Sequence, residues 1–187
     1  MNQSPDNLQL APTIASFDLE PRLAFDRLRE ARFRAVQLSA TQPGLKPREL
    51  DGSARRDLLG TLRRHELIVA GIDFWIPVDH FHDPIHVDRA IGATHGALEL
   101  AADLGRIPLS MNLPSLNHDD SGDTARLVGS ALDSISNHAE RFGVMIADHS
   151  HPFVERPWIG VGFDPSAVLG RGDSPARGVA TLGSQLV

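Results

Sequence analysis

The sequence predicts an α/β fold built on a parallel βα repeat, and three observations carry that reading. Short apolar runs alternate with amphipathic helical segments along the chain. The unit recurs about every 30–35 residues, the ordinary period of a strand, a helix and their connections. Polar side chains able to do acid/base or metal chemistry gather where apolar runs end. They are densest from Val144 to Asp164, VMIADHSHPFVERPWIGVGFD. Polar groups at the exit of buried strands mark the catalytic face of an α/β barrel. Two architectures fit: a (β/α) barrel lacking its final units, or an open doubly wound sheet.

Residues 1–11 are a polar lead-in. Pro12–Phe17 reads as the first strand, and Glu20-Pro21 opens a helix with proline at its first position. Ala24, Leu28 and Ala31 share one face of that helix. Phe33–Leu38 is a second strand with Gln37 and Ser39 near its exit, followed by a breaker-rich loop, TQPGLKP. A helix capped by Ser53 carries Leu58, Leu59 and Leu62 inward, and Leu67–Ile72 is a third strand ending at Asp73. After the loop Phe74–Pro84, a helix spans about Ile85–Leu104, with Val87, Ala90, Ile91, Leu98 and Ala101 on one stripe and Gly105 as its stop.

Ile107–Leu113 is a fourth strand, and the turn Asp119–Asp123 caps a long helix ended by Gly143. Leu127, Val128, Ala131, Leu132, Ile135, Ala139 and Phe142 give that helix its apolar face. Val144–Ala147 and Ile159–Phe163 are the fifth and sixth strands. The crossover between them, His149 to Gly160, contains Pro152 and Pro157 and leaves no room for a packed helix. Asp164-Pro165 reads as a turn, Ser174-Pro175 starts a last helix to about Leu182, and Gln185–Val187 begins a seventh strand.

The 187 residues suit one domain, 1–187, and 41% hydrophobic with 22% charged residues is ordinary for a globular protein. A net charge of −6 argues against a nucleic-acid or anionic-membrane surface. With no cysteine, disulfides, thiolate zinc sites and cysteine nucleophiles are excluded. The N-terminus lacks the features of a signal peptide, and no apolar run approaches the ~20 residues of a membrane-spanning helix, so a cytoplasmic protein is expected. No GxGxxG or Walker pattern follows the first strand, which weakens a nucleotide-binding reading.

Asp164, at a strand exit, reads either as a metal ligand or as the cap of a turn before Pro165. His149 and His151 lie two apart and point the same way on an extended strand, as ligands or as exposed loop residues. His80, His82 and His86 straddle Asp83-Pro84, and without an HExxH pattern a solvated or capping role is favoured. Trp75 suits a stacking wall for a ligand or, more often for a loop aromatic, a plug for the barrel mouth. Lys46, Arg48, Arg55 and Arg56 suit a phosphate site or, preferably, a solvated helix face.

The runs VQLSATQPGLKPREL, GIDFWIPVDHFHDPIHVDRAI, LAADLGRIPLSMNLP and GVGFDPSAVL resemble the xylose isomerase-like TIM-barrel proteins, commonly labelled sugar phosphate isomerases/epimerases. The resemblance runs from about Pro12 onward and covers about six of the eight strand–helix units of such a barrel. It implies an incomplete TIM-barrel-like βα repeat with a divalent metal (Mn, Mg, Co or Zn) at its C-terminal mouth. It implies Asp164 at the family's metal aspartate and His149, preceded by Asp148, where the family has a metal glutamate. Glu155 matches a substrate-contacting glutamate, while the family's next histidine position holds Ala167.

The function implied is isomerisation or epimerisation of a sugar or sugar phosphate, impaired in this short form because two strands and their ligands are missing. The competing reading is a non-catalytic barrel remnant that binds a small polyol or a partner protein. Exposed edges on the first and last strands predict a homo-oligomer. A sequence stopping in mid-strand also suits a truncated frame.

Overall fold

Five parallel strands form one sheet in the computed structural model of the chain, which describes residues 10–115, 122–150 and 156–187 (the side chain of Ser184 aside). They are β1 (Ala35–Ser39), β2 (Ile68–Asp73), β3 (Leu109–Met111), β4 (Ile146–Asp148) and β5 (Ile159–Val161). Their spatial order is β1-β2-β3-β4-β5, so each strand pairs with the next one in the chain. A doubly wound sheet reverses direction at a switch point, whereas a barrel winds one way. The sequential order therefore selects the barrel-like alternative. The sheet is open: Thr13 makes a single parallel bridge to Gln37 beyond β1, and Leu186 a single parallel bridge to Val161 beyond β5.

The helices are α1 (Pro21–Glu30), α2 (Gly52–Arg64), α3 (Val87–Asp103), α4 (Gly122–Phe142), α5 (Pro165–Gly170) and α6 (Pro175–Leu182), and α2, α3 and α4 lie between the successive strands β1 to β4. The strands are nearly continuous apolar runs because both faces are covered, one by the helices and one by the barrel interior. Val36, Leu38, Ile72, Leu109, Met111 and Ile146 meet Phe25, Leu28 and Leu62 from α1 and α2 and Leu98, Ala101, Leu132 and Ile135 from α3 and α4. Gly105, at φ +119°, and Gly143, at φ +65°, turn the chain off α3 and α4 as the stop signals require.

The expected first strand is corrected. Thr13 alone pairs, and Ile14–Phe17 form a 3-10 turn closed by Asp18 in the left-handed region. So few residues separate this run from Pro21 that the chain must curl at once to begin α1. The count of six strands and a seventh begun thus becomes five strands flanked by two parallel bridges among the described residues. Asp51 rather than Ser53 caps α2, its Oδ1 accepting from the amides of Ser53 and Ala54 at 2.8 Å each. Phe25 takes the buried place expected of Ala31, which lies exposed at the end of α1. The cap expected at Asp119–Asp123 falls mainly outside the described residues.

The crossover from β4 to β5 has no helix among its described residues. Ser136 Oγ donates to the carbonyl of Pro157 (2.6 Å) and Arg156 pairs with Asp133 (3.0 Å), which pins this connection to α4. A helix does appear where a turn was expected, after β5. Asp164 caps it and Pro165 occupies its first turn. The same pair of signals marks α6 at Ser174-Pro175.

Candidate functional site

Parallel strands all present their C-terminal ends on one side, and there the side chains of four elements converge on a cavity of about 1090 Å³. Gln37 comes from β1, Asp73 from the last position of β2 with Trp75 just beyond, Ser110 and Asn112 from β3 and its exit, and His149 from the exit of β4. Gly162 and Asp164 follow β5, and the α5–α6 segment closes the remaining wall. Only the small size of Gly162 admits the imidazole of His149: a methyl group there would stand 2.5 Å from Nε2. Trp75 leans against the same imidazole, its ring centroid 6.1 Å away at 44°.

Asp73 is the buried acid of this mouth. It is 9% exposed, and burial raises its pKa above the ordinary carboxylate value. Two hydrogen bonds and a nearby imidazole oppose that rise. Thr13 Oγ1 donates to Oδ2 at 2.9 Å, Gln37 Nε2 donates to Oδ1, and His149 acts through its charge. Through this triad the isolated bridge at Thr13 is tied to the mouth of the sheet. Asp164 is the opposite case. It is exposed, and its pKa is lowered by hydrogen bonds from Ser166 and Ala167, with His149 a minor contributor.

The sequence-predicted residues separate as follows. His149 and Asp164 are brought to one cavity. Asp164 also has the capping role: its Oδ1 accepts from Ser166 N (2.8 Å), Ser166 Oγ (2.6 Å) and Ala167 N (3.2 Å). Asp148 is 1% exposed and is consumed by structure, accepting from Leu113 N (3.0 Å), Ser150 N (2.9 Å) and Ser150 Oγ (2.7 Å). Glu155 and His151 lie outside the described residues. His80 and His86 stack at 4.8 Å with Asp83 on His86 Nδ1 (2.5 Å), away from the cavity lining. Arg55 is held by Asp103 at 2.6 Å and Lys46 by Glu49 at 3.6 Å, and neither they nor Arg48 and Arg56 line the mouth.

Asp73 and Asn112 were not singled out from the sequence as site residues. Asp73 carried the same signal as Asp164, an aspartate at the end of an apolar run, and only the fold shows the two exits facing one cavity.

The donor chemistry can be set against the metal that the family resemblance implies. No group of three or more histidine, aspartate or glutamate side chains among the described residues is placed to hold a metal ion. Both oxygens of Asp73 and one of Asp164 already accept hydrogen bonds, leaving His149 as the least committed donor. The described residues do not by themselves fit a divalent-metal site, which needs at least three protein ligands for zinc and more oxygen donors for magnesium.

No family model matches the sequence, and no curated protein matches it significantly. Solved structures do match. A xylose isomerase domain protein from Planctomyces limnophilus aligns with TM-score 0.69 at 12% identity, over 87% of this chain and 66% of its own. D-psicose 3-epimerase from Clostridium cellulolyticum H10, solved with D-tagatose, aligns with TM-score 0.72 at 11% identity, over 95% and 71%. The probable 3-DHS dehydratase AsbF from Bacillus anthracis aligns with TM-score 0.73 at 12% identity, over 96% and 71%. The fold is thus that of the xylose isomerase-like TIM barrels, here as an open five-stranded sheet spanning about two thirds of the length of the structures it matches. Sugar isomerases and epimerases are among its fold neighbours, and so is a dehydratase, so the fold alone does not name the reaction.

Proposed function

We propose that the protein is a sugar isomerase/epimerase-like barrel whose mouth binds a small sugar or sugar phosphate, with turnover impaired. The observation that carries the reading is the convergence of Gln37, Asp73, Trp75, Asn112 and His149 from successive strand ends on one cavity. Hydroxyl groups need donors and acceptors at fixed positions, and Gln37, Asn112 and the two acid/base groups supply both. The face of Trp75, 47% exposed, offers the apolar surface on which the C–H face of a sugar ring or chain can rest.

Moving a proton between adjacent carbons requires two groups flanking the substrate, with pKa values near the working pH. Asp73 and His149 are the two groups of this mouth placed to exchange protons with a bound substrate. Asp164, held ionised by its capping bonds, is not suited to that exchange. A divalent ion enters this reading only with donors beyond the described residues, so no step is assigned to one.

Titration calorimetry with a panel of ketoses and aldoses tests the binding. Dissociation constants of about 1 mM or tighter are expected, in the range of enzyme–substrate affinities. Trp75→Ala is expected to weaken binding about tenfold, through loss of its stacking surface. Absence of binding across the panel would sink the reading. Proton NMR in D₂O tests turnover through loss of the signal next to the ketose carbonyl, and exchange no faster than without protein is expected. After chelation, reconstitution with manganese or zinc and desalting, well under one equivalent of metal should remain. A full equivalent, lost in His149→Ala, would bring metal-dependent isomerisation back.

A further inference from the structure

The α5–α6 wall of the cavity differs in charge from the strand-end wall. Arg171 ends α5, Arg177 lies in the first turn of α6, and both line the cavity, joined by a turn in which Gly172 takes φ +80°. They are the cavity's two permanently cationic side chains among the described residues. Many surface arginines of this chain are matched with acids: Arg22 with Asp57, Arg55 with Asp103, Arg126 with Asp123, Arg156 with Asp133. Arg171 and Arg177 make no ion pair among the described residues, although Asp164 and Asp173 line the same cavity. Asp164 spends Oδ1 on its helix cap.

Ser174 stands between the two arginines. Its Oγ accepts from the Arg177 amide at 3.5 Å, which leaves its hydroxyl proton free to donate elsewhere.

Two guanidinium groups and a hydroxyl donor along one rim make a set suited to an anionic oxygen cluster, because guanidinium matches phosphate and carboxylate geometry with paired N–H donors. The strand-end wall opposite offers neutral amides, a buried acid whose pKa is raised, and an imidazole. We propose that this rim is an anion subsite, so that the ligand is a polyhydroxylated chain bearing a terminal phosphate or carboxylate rather than a neutral sugar. The inference rests on the sugar-binding reading of the mouth and narrows its substrate class. The hydroxylated end lies over Gln37, Asn112 and Asp73, and the anionic end is held by Arg171, Ser174 and Arg177.

The test compares xylulose 5-phosphate, xylulose and xylonate by calorimetry on the full chain and on the double variant Arg171→Gln/Arg177→Gln. Both side chains are exposed, so the variant is expected to keep the wild-type circular dichroism spectrum and melting temperature. The wild type should bind an anionic ligand about tenfold or more tightly than xylulose, as one or two charge-assisted hydrogen bonds provide. That advantage should shrink with added salt and vanish in the double variant, which should still bind xylulose like the wild type. Preference for the phosphate alone or for xylonate alone supports the subsite and names its anion.

Equal affinity for all three ligands in the wild type, or an advantage that survives the double substitution, overturns the subsite while leaving the sugar-binding mouth intact. No binding of any of the three overturns both.

Discussion

Gly162 shows how much a single side chain decides in this mouth. An alanine there would press its methyl group into His149, whose ring atoms lie 2.5–2.6 Å from that position. The obstruction is the far end of a side chain, so the imidazole can swing away. Gly162→Ala is therefore expected to cost about 1 kcal/mol of stability or less but to abolish sugar binding, read by urea melts and calorimetry. Asp148→Ala should behave in the opposite way. It strands the Leu113 amide in the interior and costs about 2–4 kcal/mol with its structural bonds.

Asp73 adds a pH signature. Its native pKa is raised, so the folded state binds a proton more tightly than the unfolded chain does. Stability should fall as pH rises from the ordinary value of 3.8 through the raised native value, and Asp73→Asn should remove that decline. None of these distinctions was legible in the sequence, where Asp73, Asp148 and Asp164 are three aspartates at the ends of apolar runs. What separates them is depth, and depth depends on which strand stands beside which.

At the level of elements, the packing of α3 on α4 encloses an unusual pair. His95 and His138 stack face to face with centroids 3.9 Å apart and 6° between planes, with Phe142 against His138 at 4.7 Å. Ser134 Oγ lies 3.4 Å from His95 Nε2, and Glu99 Oε1 lies 3.2 Å from His138 Nε2. Desolvation first, then the neighbouring imidazole, lowers the pKa of His95. A histidine with a lowered native pKa supports the fold while neutral, and that support is lost as pH falls from the ordinary value of 6.5 through the lowered native value. The urea midpoint should drop between pH 7 and pH 5, and His95→Gln should flatten the drop. An unchanged slope in the variant would rule the pair out as its source.

The helices themselves were well marked in the sequence, because amphipathic stripes and glycine stops are local signals. The failures have specific causes. Pro12–Phe17 has strand-like residues but too short a path to α1. Six-residue α5 is too short for a periodic stripe, although its Asp-Pro start was on view.

For the whole molecule, the edges of the sheet govern behaviour. Beyond β1 there is one bridge at Thr13, and beyond β5 one at Leu186, with Val187 packed so closely over Gly160 that a methyl group there would meet it at 2.2 Å. Sheet edges guarded this lightly invite pairing with another chain. We expect a homo-oligomer by light scattering at tens of micromolar, and stronger self-association when residues 183–187 are removed. A monomer under both conditions would contradict this. The barrel-like winding itself was foreshadowed by the βα period. The openness of the sheet was foreshadowed by the number of strand-like runs, which falls short of the eight of a closed barrel, although no local pattern reports how many neighbours a strand will have.

The sequential strand order has a consequence in time as well as space. The residue pairs that join neighbouring strands, such as Leu109 with Ile146, come from adjacent units of the chain, and β4 and β5 meet through Ile146 and Ile159. Each pairing then closes one strand–helix unit rather than several, which limits the entropic cost of each step. Each unit can dock on the one before it as the chain leaves the ribosome. Pulse-labelled hydrogen exchange should accordingly find protection spreading from β1 and β2 toward β5, with the strand-end cavity assembled last.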